Sequence, residues 1–186
     1  MALFSRRRRL PDAVRRRLDL AHGDTVLAAA PLDAARGGEV AQDADGTGRW
    51  AVVTRRALHL VDADPDADVA RTPWSDVDRG TLDAESRTLT VHWASGATTD
   101  LPLADDPAAR DLAQTFRERV QQSVVHVEHV TLPGGGRVRV ALRRDEEGAF
   151  FTQTIGDGRV DLRDPAAARV VAEAEARVRA EVGLPD

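Results

Sequence analysis

Leu89, Val91 and Trp93 alternate with Thr88, Thr90 and His92, so a strand through them has one apolar and one polar face. Runs of β-branched, aliphatic or aromatic residues also occupy Thr25 to Ala30, Arg49 to Thr54, Ala57 to Val61, Trp74 to Leu82, Arg87 to Trp93 and Ala97 to Leu101, each bounded by turn formers. Their connections are short: Arg55-Arg56, then Asp83 to Ser86, then Ser95-Gly96. That spacing predicts an antiparallel meander or small barrel, not parallel strands alternating with helices.

Helical spacing flanks the strands. Leu10, Val14, Leu18 and Ala21 recur every three or four residues, Pro11 suits a first turn and Gly23 a stop, which predicts an amphipathic helix over about 11–22. Arg15, Arg16 and Arg17 turn away from its apolar stripe. After the meander, Asp105 or Asp106 is a good N-cap before Pro107, and Leu112, Phe116, Val120 and Val124 form a stripe at a spacing of four. In the tail, Val127 to Leu132, Val138 to Arg143 and Ala149 to Thr154 read as strands, with turns at Pro133 to Gly136 and Asp145 to Gly148. Asp164 and Pro165 then start a helix with Val171, Ala174, Val178 and Val182 on one face and Gly183 at its end. Three short strands and one helix have little core of their own, so this unit is expected to pack on the meander. The order defines an α+β chain in three parts: a basic N-terminal helix (1–23), a strand-rich region closed by a helix (24–125) and a small β-β-β-α unit (126–186).

The segments GRWAVVTRRALHLV (Gly48 to Val61), RTPWSDV (Arg71 to Val77) and TLTVHWASG (Thr88 to Gly96), in that order, resemble bacterial pleckstrin-homology-like and GRAM-like domains over residues 24–125. The resemblance implies a pleckstrin-homology-like antiparallel β-barrel closed by a C-terminal helix. The whole chain is also similar to a group of actinobacterial proteins of unknown function, which open with LF-RRR-type starts and end with a segment like Leu132 to Arg144. That likeness brings no activity with it, but it implies that the N-terminal helix and the tail belong to one architecture. In lipid-binding pleckstrin-homology domains the first loop is basic, whereas Pro31 to Gly48 holds Asp33, Glu39, Asp43 and Asp45 against Arg36, a charge of −3. Such a loop repels an inositol phosphate, so the resemblance implies a fold and not that ligand.

Composition removes whole classes of chemistry. At 186 residues, 42% hydrophobic and 31% charged, the chain is long enough for a real core and too apolar for disorder. No apolar run approaches the roughly 18 residues of a membrane span, and the Arg cluster is followed by no apolar signal region, so a cytoplasmic location is expected. With no Cys, Tyr or Lys there are no thiolates, disulfides, phenol acids, Schiff-base lysines or phosphate-loop lysine. Charge is lopsided: residues 1–20 carry seven Arg against Asp12 and Asp19, a balance of +5, which leaves −10 on the other 166 residues of a chain whose net charge is −5.

Few motifs reach the specificity of a site. DADPDAD (Asp62 to Asp68) has the alternating acids of a calcium loop, but Ala67 stands where a Gly is required and no Glu arrives at the twelfth position, so a hairpin loop is expected. HVEH (His126 to His129) places its imidazoles three apart, on opposite faces of a strand. PGGG (Pro133 to Gly136) lacks the Lys and the following helix of a phosphate loop. No cofactor is expected.

Two surfaces remain. One is the N-terminal run Arg6, Arg7, Arg8, Arg9, Arg15, Arg16 and Arg17; the other is Trp74 with the Phe150-Phe151 pair. Pro73 keeps its position out of a central ladder, so Trp74 starts an edge strand. If that strand is regular, Val77 faces the core and Trp74 faces outward as a docking point covered by the N-terminal helix or the tail, while Trp93 and Trp50 fall in step with the core positions. A bulge after Ser75 would instead return Trp74 to the core. Phe150 and Phe151 point to opposite faces, so at most one enters the tail's core. The expected function is a non-enzymatic adaptor or protein-assembly module, bound to a protein partner or to itself. Its rival is an anion-directed binder that lays the Arg run on membrane lipid or nucleic acid.

Overall fold

The computed structural model describes residues 9–33, 48–156, 160 and 163–184. The first strands form a four-stranded antiparallel meander, β1 (Val26–Pro31), β2 (Trp50–Thr54), β3 (Ala57–Val61) and β4 (Ala70–Pro73), in that order. A 3-10 turn over Trp74–Asp76 leads into a second, three-stranded meander of β5 (Val77–Asp83), β6 (Thr88–Trp93) and β7 (Thr98–Pro102). Helix α2 (Pro107–Ser123) follows, capped by the Asp106 carboxylate accepting from Ala108 N. Its stripe of Leu112, Phe116 and Val120 is buried with Val53, Leu58, Val77, Leu89, Val91 and Leu101 in one core between the two sheets.

Among the described residues the expected barrel does not close. The two sheets meet through a single bridge, Leu32 to Leu103, flanked by Asp33 N donating to Pro102 O (2.7 Å) and Ala104 N donating to Pro31 O (3.1 Å). In each flanking pair the returning bond would have to come from Pro31 or Pro102, neither of which has an N–H, so the ladder stops after one bridge.

The N-terminal helix is shorter than its periodicity predicts. Helix α1 covers only Asp12–Arg17, and Leu18 is already extended. Arg17 does not face solvent: its Nη1 donates to Asp62 O (2.7 Å) and its Nη2 to Ala67 O (2.8 Å), which ties the helix end to the β3–β4 loop. A helix of six residues has little stability of its own, so these anchors and the burial of Val14 and Leu18 set its limits. Val14 and Leu18 lie on Trp50, Val52 and Val61, the outer face of the first sheet. Strand β2 is therefore buried on both faces, and Trp50 is the ring the N-terminal segment covers.

Trp74 is not an outward docking point. It is 5% exposed, lies in the central core and meets Phe116 edge-on, with ring centroids 5.6 Å apart. The 3-10 turn breaks the two-residue alternation between Trp74 and Val77, so parity counted back from Val77 fails.

The tail begins without a linker. Strand β8 (Val124–Thr131) starts at the residue after α2, so Val124 belongs to the strand and not to the helical stripe. β8 pairs with β9 (Arg137–Arg144), which pairs with β10 (Phe150–Gly156), and α3 (Pro165–Ala180) packs on one face of this sheet. Val130, Val138, Val140, Leu142, Val171, Ala174 and Val178 form its own core, separate from the first. Val182 lies past the helix end and is exposed. Among the described residues, no helix is long and apolar enough to cross a membrane.

Candidate functional site

Each apolar core belongs to one unit, and the junction between the units is polar. At its centre is Arg143 on β9, 1% exposed. Its Nη2 donates to Val77 O (2.7 Å), Trp74 O (3.0 Å) and Ser123 Oγ (2.6 Å), and its Nη1 to Gln153 Oε1 (3.0 Å). Gln153 Nε2 in turn donates to Ser75 O (3.3 Å). Every acceptor is neutral, and Arg143 Nε has no partner. Burial lowers the pKa of this guanidinium from its ordinary value, and the charge of Asp78 opposes that shift. A guanidinium stays protonated in proteins, so Arg143 is a buried cation. Asp78 itself accepts from Arg79 Nη1 (2.9 Å) and from Arg139 on β9, adding a second tie between the units. Arg71 and Glu146 make a third, a two-pronged pair from β4 to the β9–β10 turn.

A cleft of about 300 Å³ opens beside this seat, lined by Gly23, Arg55, Arg56, Trp74, Ser75, Arg119, Gln122, Ser123, Arg144, Asp145 and Glu146. The β2–β3 turn supplies Arg55 and Arg56. It is shaped by Thr54, whose hydroxyl donates to the buried Asp24 carboxylate (2.9 Å) and accepts from Ala57 N (3.0 Å). Trp74 braces the same turn: its Nε1 donates to Thr54 O (3.1 Å) and its backbone N to Arg56 O (3.3 Å). Arg119 comes from the last turns of α2, whose inner face is fixed by Phe116, Val120 and Ser123. Arg144 ends β9, its guanidinium carbon 5.1 Å from the Phe150 ring centroid, a cation–π contact.

The electrostatics of the cleft are one-sided. Neither Arg55, Arg56, Arg119 nor Arg144 has an ion-pair partner among the described residues, and Arg55 makes only a long bond to Gly23 O (3.5 Å). The two acids in the lining are occupied. Glu146 holds Arg71, and Asp145 Oδ1 accepts from Glu147 N (3.0 Å) and Ala149 N (2.8 Å) within its own turn. Four arginines with no ion-pair partner among the described residues thus line one cleft, in a chain whose residues beyond the first 20 sum to −10.

The residues singled out by the sequence divide between this cleft and elsewhere. Trp74 lines it, and Phe150, 38% exposed, supports Arg144 at its edge; Phe151 is half-buried, and neither ring enters the tail's core. Arg6, Arg7 and Arg8 lie outside the described residues, while Arg9, Arg15 and Arg16 are exposed on the N-terminal segment and do not line the cleft. Arg55-Arg56, Arg119 and Arg143-Arg144 come from three distant parts of the chain, and the only local sign of them in the sequence is the hairpin turn at Arg55-Arg56.

The other motifs fall into local roles. In the β3–β4 loop Asp62 Oδ1 accepts from Asp64 N (3.1 Å) and Asp64 Oδ1 from Asp66 N (2.9 Å), turn bonds within DADPDAD. On β8, His126 Nδ1 is 3.0 Å from Glu181 Oε2, and His129 is exposed. Among the described residues no three of His, Asp and Glu gather as a metal would require. His59 is buried beneath the N-terminal segment, and burial, reinforced by Arg71, lowers its pKa from the usual 6.5. No protein-family model matches the chain, and no curated protein is significantly similar to it.

Proposed function

We propose that this protein is a non-enzymatic adaptor: a pleckstrin-homology-like scaffold, extended by a β-β-β-α unit, that meets its partner through the arginine-lined cleft and reads an anionic group there. The order of four strands, three strands and a helix supports the scaffold reading. The observation that carries the contact is that Arg55, Arg56, Arg119 and Arg144 line one cleft with no carboxylate partner among the described residues. Guanidinium groups left unpaired in a concave site are arranged to accept an anion's oxygens, and an acidic body makes a basic cleft selective in where that anion lands.

The N-terminal arginines remain the rival surface, since Arg9, Arg15 and Arg16 are exposed. A calorimetric titration with a panel of small anions at about 50 and about 300 mM salt separates the two. The expected result is salt-sensitive binding that Arg119→Gln with Arg144→Gln abolishes and removal of residues 2–8 leaves intact. Binding that follows residues 2–8 instead transfers the function to the N-terminus. Truncation must not reach Val14 and Leu18, because both belong to the packing over Trp50.

A further inference from the structure

Resting on the anion-binding reading of the cleft, we infer that its ligand is a phosphomonoester dianion carried on a small soluble group, held between the two units of the chain. The charge count comes first. The four cations of the lining outnumber its two acids, and both acids already have partners. A carboxylate brings one negative charge and two oxygens, so it leaves several of these guanidinium groups unmatched; a phosphomonoester brings close to two charges and three strong acceptor oxygens.

Size and shape narrow the carrier. A space of about 300 Å³ is at the lower end of small-molecule sites and holds a phosphate with a compact organic group. A nucleic-acid strand needs a basic track that follows its backbone, whereas the chain beyond its first 20 residues sums to −10. An anionic membrane surface meets the same repulsion. Ser75 and Gln122 line the cleft with neutral side chains able to hydrogen-bond, which suits the uncharged part of a small ester. The cleft also lies at the β2–β3 end of the first sheet, opposite the DADPDAD loop that joins β3 to β4.

The arginines come from both units: Arg55, Arg56 and Arg119 from the first and Arg144 from β9. The ester therefore bridges the junction beside the Arg143 seat, and binding tightens the hold of the tail on the scaffold.

The test titrates the full chain by calorimetry with N-acetyl-phosphoserine amide, N-acetyl-glutamate amide and inorganic phosphate, and measures the thermal midpoint with each. The inference expects the phosphoserine compound to bind at least about tenfold more tightly than the glutamate compound and to raise the midpoint. It also expects Arg119→Gln and Arg56→Gln each to weaken binding by about tenfold while the ligand-free midpoint stays unchanged. Equal affinity for the glutamate compound overturns the phosphate assignment and leaves the anionic cleft standing. Equal affinity for inorganic phosphate assigns the site to the free ion. No binding of any anion removes both this inference and the function it rests on. Co-sedimentation with phosphatidylcholine vesicles containing phosphatidic acid, lost in Arg119→Gln, would replace the soluble ester with a lipid.

Discussion

Arg143→Met tests whether one buried cation holds the two units together. The substitution keeps a long unbranched side chain and removes every donor. Trp74 O, Val77 O, Ser123 Oγ and Gln153 Oε1 then lose the guanidinium at once, although Trp74 O still accepts from Val77 N and Ser123 Oγ still donates to Val120 O. Hydrogen bonds from a charged donor contribute about 1.5–3 kcal/mol each, and a buried acceptor left unmet costs about 1–3 kcal/mol. Against these stands the relief of burying a guanidinium whose Nε has no partner, so the contributions cannot simply be added. The expected net loss is about 2–4 kcal/mol, from buried neutral acceptors left unmet less the relief of not burying the charge. That is a large part of a typical stability of about 5–15 kcal/mol. The position of the tryptophans supplies the assay. Trp50, Trp74 and Trp93 all lie in the first unit, so urea unfolding followed by fluorescence reports that unit, while far-ultraviolet circular dichroism reports both. In the variant the dichroism transition should precede the fluorescence transition as the tail comes away first. Arg143→Lys, with three donors and no planar fork, should fall between the variant and the parent. A loss under about 1 kcal/mol with coincident transitions would refute the seat as the tie between units.

Three further outcomes follow from the same packing. A Cβ built on Gly80 would lie 2.4 Å from Phe116 Cε1, and Trp74 stands edge-on to that ring, so Gly80→Ala should destabilise by about 1–3 kcal/mol in urea unfolding; an unchanged midpoint would mean β5 and α2 are not in close contact. Leu18→Ala should cost about 2–4 kcal/mol and make Trp50 accessible to an aqueous quencher, because Leu18 is buried over that ring; a silent variant would show the N-terminal segment to be unpacked. His59 has its folded pKa below the usual 6.5, so the unfolded chain takes up the proton first. Its contribution to stability is whole above about pH 6.5 and is lost as pH falls towards the folded value, and His59→Leu should remove that part of the slope between unfolding at about pH 7.5 and about pH 5.5.

The legible parts of the fold were those with a local rule. Asp106 and Pro107 announce α2, its stripe at 112, 116 and 120 is buried as spaced, and the alternation from Leu89 marks β6. Strand β4 escaped because Ala70 to Pro73 is a short, exposed edge with no alternation to read. Trp74 went astray because a three-residue turn reset the parity, and the helix at Arg17 stopped early because loop carbonyls captured its side chain. The cleft was legible only at Trp74 and at the Arg55-Arg56 turn. Its four arginines come from a hairpin turn, a helix end and a strand end, and each looks like an ordinary solvated charge until folding brings them together. Arg143 was hidden for the opposite reason: β9 buries Ala141, Leu142 and Arg143 in succession, because its second face rests on the first unit.

The arginine cleft as the point of recognition is tested most directly by side-chain NMR of the arginine Nε–Hε groups during titration with N-acetyl-phosphoserine amide. The account predicts saturable shifts at Arg55, Arg56, Arg119 and Arg144, together with the amides of the Trp74–Asp76 turn, and none at Arg9, Arg15 or Arg16. Shifts confined to the N-terminal arginines, with the cleft silent, would contradict it.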